Sequence, residues 1–216
     1  MPHSFNHYFE LRYAPSDMAK NAKSTEYIRK MAEESFSLMH TCRYQQKYAV
    51  AISFPDIQYG LYASFGSVIR FYSSTPAGLA FLRECFNATF EREIHIEKII
   101  QLTEIKGVPE DIVGWVQFIR FRVPARKARD YATYNLILEK ARCYPLVSIF
   151  SRGTNRYMPI QVMPRILSKD QEAAVVFSPN TYGLANIAQF PNETEVKYFA
   201  TPVFATDRLA AKFVAP

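Results

Sequence analysis

The segment Tyr48-Ala49-Val50-Ala51-Ile52-Ser53-Phe54-Pro55-Asp56 decides the fold. It is apolar at nearly every position up to Phe54, which predicts a strand over residues 47–54 in the centre of a sheet, because both of its faces must be covered. Upstream, apolar residues recur at helical spacing after Ser24, a plausible N-cap. They predict a helix that ends at about His40.

The elements on either side of this pair complete an α+β pattern. A second helix is predicted to open at Thr75-Pro76, where the proline suits a first helical turn. Apolar alternation predicts three further strands, over residues 7–13, 67–72 and 93–102. The resulting order, β-α-β-β-α-β, is that of the ferredoxin-like fold. We therefore expect residues 1–106 to form a ferredoxin-like domain.

Beyond a linker that begins at residue 107, the chain changes character. Residues 107–216 are predicted to form a smaller, divergent α/β domain that carries a basic helix and a hairpin. Its predicted elements are a strand over 113–122, a helix over 125–142, a hairpin of 145–150 with 158–163, and a strand over 173–178.

Charge and composition restrict the partners. The chain has 26 Lys and Arg against 20 Asp and Glu, a net charge of +6. This balance favours a polyanionic partner, either nucleic acid or an anionic surface, although a basic protein without such a partner fits equally well. Aromatic residues make up 15% of the chain, and some could stack on unpaired bases.

Several classes of protein are not indicated. The three cysteines form no CxxC pair, so neither a structural zinc nor a disulfide framework is expected, and a reducing cytoplasm fits. The N-terminus does not resemble a signal peptide, and no apolar run is long enough to cross a membrane. There is no Walker loop and no GxGxxG, so no nucleotide cofactor is expected. We predict no bound metal and no other cofactor.

One histidine, one serine and one tyrosine are the candidate catalytic residues. RNA can be cut without metal when a base removes a proton from its own 2′-hydroxyl, and histidine suits that role. His40 follows the apolar stripe of its helix, so its ring is expected at the edge of a cleft, near a helix C-terminus. Ser151 lies in the predicted hairpin tip, and Tyr182 opens Tyr182-Gly183-Leu184. A surface histidine, an ordinary turn and a packed aromatic remain the competing interpretations.

Two basic stretches are the candidate RNA-binding residues. The densest runs from the strand into the predicted helix and comprises Arg120, Arg122, Arg126, Lys127 and Arg129. The second, at the hairpin tip, comprises Arg152, Thr154, Asn155 and Arg156. Arginine binds phosphate with two parallel hydrogen bonds, which favours RNA. A solvated charged face is the alternative.

These pieces occur together, in order, in one known family. They are His7-Tyr8-Phe9-Glu10-Leu11-Arg12, His40 ahead of Ser53-Phe54-Pro55-Asp56, Gln117-Phe118-Ile119-Arg120-Phe121-Arg122, the run from Pro145 to Thr154, and Thr181-Tyr182-Gly183-Leu184. On these motifs the chain resembles the CRISPR RNA-processing endoribonucleases of type I-F systems, the Csy-type enzymes of the Cas-six superfamily.

The resemblance implies an activity and a set of partners. Such an enzyme grips the stem-loop of the CRISPR repeat and cuts precursor RNA at the 3′ base of the stem, with no metal or cofactor. It leaves a 2′,3′-cyclic phosphate and a 5′-hydroxyl and stays on its product within an interference complex with other subunits. The free enzyme is then expected to be a monomer in the cytoplasm.

The resemblance also implies roles for residues. It makes His40 the general base, Ser151 the group that fixes the 2′-hydroxyl, and Tyr182 the residue that positions the histidine. Thr154 would be a further contact at the cut. Arg120 matches an arginine that reads a base near the foot of the stem, whereas Arg122 replaces a glutamine that is common in the family.

Three features depart from the family. The family has an arginine-rich helix, and the corresponding segment of this chain contains few basic residues. Met158 falls where an aromatic residue usually stacks under the last base pair, although Tyr157 is adjacent. Residues 187–216 extend past the usual short tail, which indicates a divergent subtype. Two alternatives therefore stay open, a non-catalytic RNA-hairpin-binding subunit and a structural subunit with protein partners.

Overall fold

The computed structural model describes residues 6–13, 24–46, 48–91, 99–123, 130–151, 155–172, 175, 179, 182–185 and 199–213. The fold is mixed α+β with two antiparallel sheets, which confirms the expected class. Its first half contains β1 (His7–Tyr13), α1 (Ser24–Gln46), β2 (Ala51–Ser53), β3 (Val68–Ser73), α2 (Pro76–Phe90), β4 (Ile100–Leu102) and β5 (Lys106–Gly107).

The strands of the first sheet follow the order β2-β3-β1-β4, and β5 pairs with β1. Every pairing is antiparallel. Together with the element order, this arrangement is compatible with the ferredoxin-like fold that the sequence predicts. The predicted fourth strand, over residues 93–102, falls partly outside the described residues, and β4 covers its last three positions.

The second half contains β6 (Ile112–Phe121), α3 (Tyr131–Arg142), β7 (Leu146–Ser151), β8 (Arg156–Ile166), α4 (Lys169–Glu172) and β9 (Thr201–Phe204), followed by a 3₁₀ helix (Arg208–Lys212). Its sheet has the order β7-β8-β6-β9, with antiparallel pairing throughout. The expectation of an α/β domain is therefore wrong. The second half repeats the strand path of the first, because its sequence also runs β-α-β-β-α-β.

Alternation in β1 shows why these residues form a sheet between two layers. Phe9 and Leu11 are fully buried in the main apolar core, and Phe9 stacks on Phe71 of β3 with ring centroids 5.0 Å apart. Glu10 points to the opposite face, where its carboxylate accepts a hydrogen bond from Arg70 of β3. A strand with apolar side chains on one face and a paired ion on the other has its register fixed, because a slip of one residue would exchange the two.

The two halves share their core. Phe54, which follows β2, packs edge-on against Phe118 of β6, with ring centroids 5.3 Å apart. A second cluster likewise joins Ala51 and Tyr72 from the first half with Ile119 from the second. The predicted boundary between residues 106 and 107 thus does not separate two independent cores among the described residues, and the division into two domains stays a prediction.

A buried ion network also crosses from the first half to the C-terminal segment. Arg70 of β3 donates through Nε to Glu10 Oε1 (2.8 Å) and through Nη1 and Nη2 to both oxygens of Asp207 (2.9 and 2.7 Å). Its guanidinium also lies 3.9 Å from the ring centre of Phe204. Burial opposes the charge of Arg70, but Tyr72 and Asp207 raise the pKa of Arg70 above its usual value. The network ties the 3₁₀ helix to the first sheet.

Two predicted helix ends are wrong. α1 continues to Gln46, so His40 lies inside the helix and not at its C-terminus. Residues 41–46 contain neither proline nor glycine, and a helix can continue past its apolar stripe when its further turns are polar. α3 begins at Tyr131, because Asp130 takes an extended N-cap conformation and accepts a hydrogen bond from Thr133 N (2.9 Å). This bond lowers the pKa of Asp130.

The helices of the described part of the chain are too short or too polar to cross a bilayer. None of them combines the length with the apolarity that a membrane-spanning helix requires.

Candidate functional site

The rings of His40 and Tyr182 stack on each other. Their centroids are 5.5 Å apart and their planes differ by 19°. His40 is exposed on α1, whereas Tyr182 is half-buried and packs against the main core. Both residues are catalytic candidates from the sequence, and the fold brings them into contact from opposite halves of the chain.

The segment around Tyr182 is held between the two sheets. Gly183 O accepts a hydrogen bond from Ile52 N in β2 (3.1 Å), and Ala185 N donates one to Phe118 O in β6 (2.9 Å). This stretch of backbone therefore links β2 to β6. Because it is anchored on both sides, Tyr182 holds a fixed position above α1.

Gly183 permits this close approach. Its φ is +72°, a left-handed conformation in which a side chain is strained. A Cβ at this position would lie 2.4 Å from Met39 Cε and 2.9 Å from Ile52 N. Met39 precedes His40 on α1. Gly183 therefore sets the distance between α1 and residues 182–185, which we call the tyrosine segment.

Arg120 approaches the ring of the same tyrosine. The central carbon of its guanidinium lies 5.7 Å from the centroid of the Tyr182 ring. Its Nη2 donates to Pro159 O (3.0 Å), while its buried Nε has no hydrogen-bond partner among the described residues. Burial, and then the charge of Arg122, lower the pKa of Arg120, and Tyr182 opposes them. An anion beside Arg120 would offset both unfavourable effects.

A cavity of about 710 Å³ opens beside Arg120, between the end of β6, α3 and the β7–β8 pair. It is lined by Arg120, Phe121, Arg122, Val123, Leu138, Ala141, Arg142, Leu146, Met158, Pro159 and Gln161. Three of these side chains are guanidiniums, and none of these lining residues carries a carboxylate. We call it the arginine cavity. Its combination of positive charge and apolar walls suits a phosphate with an adjoining base or sugar.

Arg142 and Gln161 belong to this cavity but are not among the site residues that the sequence predicts. Arg142 stands out in the sequence only as a basic end of the predicted helix, and its meeting with Arg120 and Arg122 depends on how α3 packs against the sheet. The sequence indicates Arg142 only through the excess of basic residues in the second half of the chain, to which Arg142 belongs.

The predicted hairpin is confirmed, with an exposed aromatic pair close to its tip. Ser151 pairs with Arg156 and Phe150 with Tyr157 across β7 and β8. The Phe150 and Tyr157 rings lie edge-on with centroids 5.3 Å apart, and they are 49% and 73% exposed. Met158 instead packs against the main core. Tyr157 thus offers an exposed aromatic ring, whereas Met158 is partly buried and lines the arginine cavity.

The structure brings together some of the predicted residues and leaves others undescribed. His40, Tyr182 and Arg120 form one cluster, and Arg122 shares the arginine cavity with Arg120. Asn155 and Arg156 are exposed at the hairpin tip. The structure describes Ser151 as the last residue of β7 but not its side chain. Arg126, Lys127, Arg129, Arg152 and Thr154 lie outside the described residues.

The start of α3 corrects the prediction for three of these positions. Arg126, Lys127 and Arg129 were expected in the first turns of the basic helix. α3 begins at Tyr131, so these residues precede its cap. The structure of these three residues is not described, so their contact with phosphate stays a prediction.

Side chains that bind metal ions are scattered rather than clustered in the described part of the chain. Among those residues, no group of three or more His, Cys, Asp or Glu is placed to hold a metal ion.

Comparisons with known proteins add little. No protein-family model matches the chain, and no curated protein matches it. Among solved structures, it is similar to one titled as a candidate chlorite dismutase, with 13% identity over 76% of this chain and 81% of that one. The TM-score is 0.28, which is too low to carry an argument about fold or activity.

Proposed function

We propose that the protein is a metal-independent endoribonuclease that matures CRISPR RNA, as its resemblance to the type I-F processing enzymes implies. The observation that carries the proposal is the stack of His40 on Tyr182, with Arg120 beside it. An ordinary surface histidine is not expected to stack on a tyrosine from the other half of the chain, so this contact favours a functional role for His40. A base, a group that orients it and a cation are what cleavage by a 2′-hydroxyl requires.

The proposed reaction begins at the nucleotide before the cut. His40 takes the proton of the 2′-hydroxyl, and the freed oxygen attacks the adjacent phosphorus in line with the 5′-oxygen. The phosphorus–5′-oxygen bond breaks, and the departing oxygen takes a proton from water to become a 5′-hydroxyl, while His40 returns its proton to the solvent. The other product ends in a 2′,3′-cyclic phosphate. Ser151 is proposed to hold the 2′-hydroxyl, Tyr182 to orient His40, and Thr154 to make a further contact.

The arginine cavity is proposed to hold the foot of the repeat stem. Arg120 lines it from β6 and Arg122 from just after that strand, where the family reads bases, and Arg142 adds a third cation from α3. Beside it, the exposed rings of Phe150 and Tyr157 would stack under the last base pair. The hairpin residues Arg152, Asn155 and Arg156 would then meet the phosphates that flank the cut.

The remaining parts of the proposal follow from the same resemblance. A ferredoxin-like N-terminal domain carries His40, and the second domain carries most of the RNA-binding residues. After cleavage the protein stays on the 3′ hairpin with the other subunits of a type I-F interference complex, in the cytoplasm. It needs no cofactor, because a histidine base and the substrate's own hydroxyl supply the chemistry.

The test uses an RNA hairpin with the CRISPR repeat of the source genome and a single 2′-deoxy nucleotide at the cut. We expect the deoxy substrate to bind as tightly as the all-ribose hairpin and to remain uncut, because the attacking hydroxyl is missing. An all-ribose control should give one product with a cyclic phosphate end. Cleavage of the deoxy substrate at the same bond would refute the mechanism.

A non-catalytic RNA-hairpin-binding subunit is the second candidate. The arginine cavity favours it, because three guanidiniums can hold a stem whether or not His40 acts as a base. This candidate predicts tight, salt-sensitive binding of the hairpin with no product at neutral pH.

A further inference from the structure

We infer a second RNA-binding site next to the C-terminal end of α3, formed by the hairpin at residues 57–65 and the C-terminal 3₁₀ helix. Its ligand is the unpaired RNA that flanks the repeat stem. The inference rests on the proposed function for its ligand class, RNA. It assigns a task to residues outside the cluster of His40, Tyr182 and Arg120. We call this surface the tyrosine hairpin.

The backbone of the tyrosine hairpin is fixed at several points. Gln58 and Ser64 exchange two hydrogen bonds (2.9 and 3.0 Å), which close it into a loop. At its tip, Gly60 N donates to Cys143 O at the end of α3 (2.8 Å). Gly60 has a φ of +104°, which suits glycine at this turn. The loop is therefore pre-organised and does not have to be ordered by a ligand.

The side chains at the tip are exposed in spite of this fixed backbone. Leu61 is 88% exposed, Tyr62 81% and Tyr59 47%. These large apolar groups bury little surface in the protein, so they contribute little to the stability of the fold. An exposed apolar cluster on an ordered loop indicates a binding surface.

The neighbouring charges select an anionic partner. Arg208 and Lys212 of the 3₁₀ helix line a cavity of about 310 Å³ with these tyrosines. Lys212 Nζ lies 5.9 Å from the centre of the Tyr59 ring. The carboxylates nearest in sequence are engaged elsewhere: Asp56 accepts from Ser67 Oγ (2.7 Å), and Asp207 pairs with Arg70. Among the described residues, neither cation is therefore paired with one of these carboxylates, and both can contact a ligand.

Aromatic faces next to cations are what unpaired nucleotides need. Bases stack on tyrosine rings whatever their sequence, and Lys and Arg follow the phosphates. The exposed Leu61 would suit a protein partner equally well, but two cations and no carboxylate line the cavity. Flanking RNA is the better match, because a repeat hairpin in a precursor carries unpaired strands.

Continuity with the proposed stem site supports this choice. Gly60 bonds to Cys143, and the next residue, Tyr144, packs on Phe121 with ring centroids 5.3 Å apart. Phe121 lines the arginine cavity. The tyrosine hairpin thus continues the surface on which the stem is proposed to lie, and an RNA strand that leaves the stem can reach it.

The experiment compares a blunt repeat hairpin with hairpins that carry an unpaired extension of about ten nucleotides, at the 5′ or the 3′ end. One variant combines Tyr59→Ala and Tyr62→Ala, and a second carries Arg208→Ala and Lys212→Ala. The control is Tyr131→Ala, since Tyr131 is a 65% exposed tyrosine of α3 outside this surface. Dissociation constants are measured with all three RNAs, and thermal unfolding verifies the fold of each variant.

For one of the two extensions we expect about tenfold tighter binding to the natural protein than for the blunt hairpin. Both variants should lose this gain, bind the blunt hairpin normally and cut it at the normal rate, while the control keeps the gain. An equal gain in natural protein and variants would overturn the inference. So would variants that bind every RNA normally but no longer join the other subunits of the complex, which would make the surface a protein contact.

The outcome separates this inference from the proposed function. If the natural protein fails to cut any of the hairpins, yet binds one extended hairpin more tightly than the blunt one and loses this gain in the tyrosine variant, the cleavage proposal fails and the second site stands. If it cuts the hairpin but gains nothing from either extension, the second site fails and the nuclease stands.

Discussion

The imidazole of His40 stacks on the ring of Tyr182, with 5.5 Å between centroids and 19° between planes. The histidine stands inside α1, and the tyrosine belongs to a segment hydrogen-bonded to β2 and β6. Any change that moves the tyrosine segment therefore changes the surroundings of the histidine.

The contribution of the Tyr182 ring can be separated from that of its hydroxyl. In the proposed mechanism the ring of Tyr182 orients His40, so Tyr182→Phe should keep cleavage within about threefold of the natural rate. Tyr182→Ala should slow it by about 100-fold, a typical loss when a catalytic base is misplaced. Single-turnover rates at saturating protein test this. A Phe variant as slow as the Ala variant would assign the role to the hydroxyl.

Gly183→Ala tests the spacing between the tyrosine segment and α1. The new Cβ would meet Met39 Cε and Ile52 N, and φ is positive, so we expect a loss of about 1–3 kcal/mol in the free energy of unfolding. Cleavage should fall as Tyr182 is displaced. Gly107→Ala is the control, since the nearest atom there is 3.9 Å away. Equal stability of the two variants in urea would contradict the geometry.

The arginine cavity predicts a change in the salt dependence of RNA binding. Removing one side chain that binds a phosphate reduces the slope of log K against log salt by about one. Arg142→Ala should therefore weaken binding of every hairpin uniformly and reduce the slope. Arg156→Ala, at the hairpin tip, gives a comparison outside the cavity. Binding of unchanged affinity and slope in Arg142→Ala would remove α3 from the RNA surface.

The network of Arg70, Glu10 and Asp207 should dominate stability. Arg70→Met takes the buried counter-charge away from two buried carboxylates, which should cost about 3–5 kcal/mol in the free energy of unfolding. Arg83→Met is the matched control, because Arg83 pairs at 3.2 Å with the exposed Glu104. That pair is worth about 1 kcal/mol or less. Denaturant unfolding that ranks the two variants equally would contradict this view of the core.

Local patterns predicted the elements of the fold well. The apolar run ahead of Pro55 indicated a buried strand, although β2 covers only Ala51–Ser53 of the predicted residues 47–54, and alternation around Glu10 indicated β1 over residues 7–13. The proline after Thr75 marked the start of α2. These features depend on neighbours in the chain, so a single sequence contains them. The stack of His40 and Tyr182 was approached only through the family resemblance, because no local pattern joins α1 to the tyrosine segment.

The errors have physical causes that a single sequence does not reveal. The second half was expected to form an α/β domain, but strand alternation does not show which strands pair or in which direction. α3 begins later than predicted, because Asp130 caps it, although the basic residues ahead of Asp130 are themselves good helix formers. The position of Arg142 beside Arg120 depends on the packing of a helix against a sheet, which its charge alone does not show.

The central claim is that His40 acts as the base of a metal-independent nuclease. The most direct measurement incubates the natural protein and His40→Ala, in EDTA, with a labelled RNA hairpin of the CRISPR repeat. Ser37→Ala, an exposed serine one turn earlier on α1, serves as the control. We predict one cut at the 3′ base of the stem by the natural protein and the control, and none by His40→Ala, which should still bind the hairpin. Cleavage by His40→Ala at the natural rate, or a strict requirement for metal, would contradict the account.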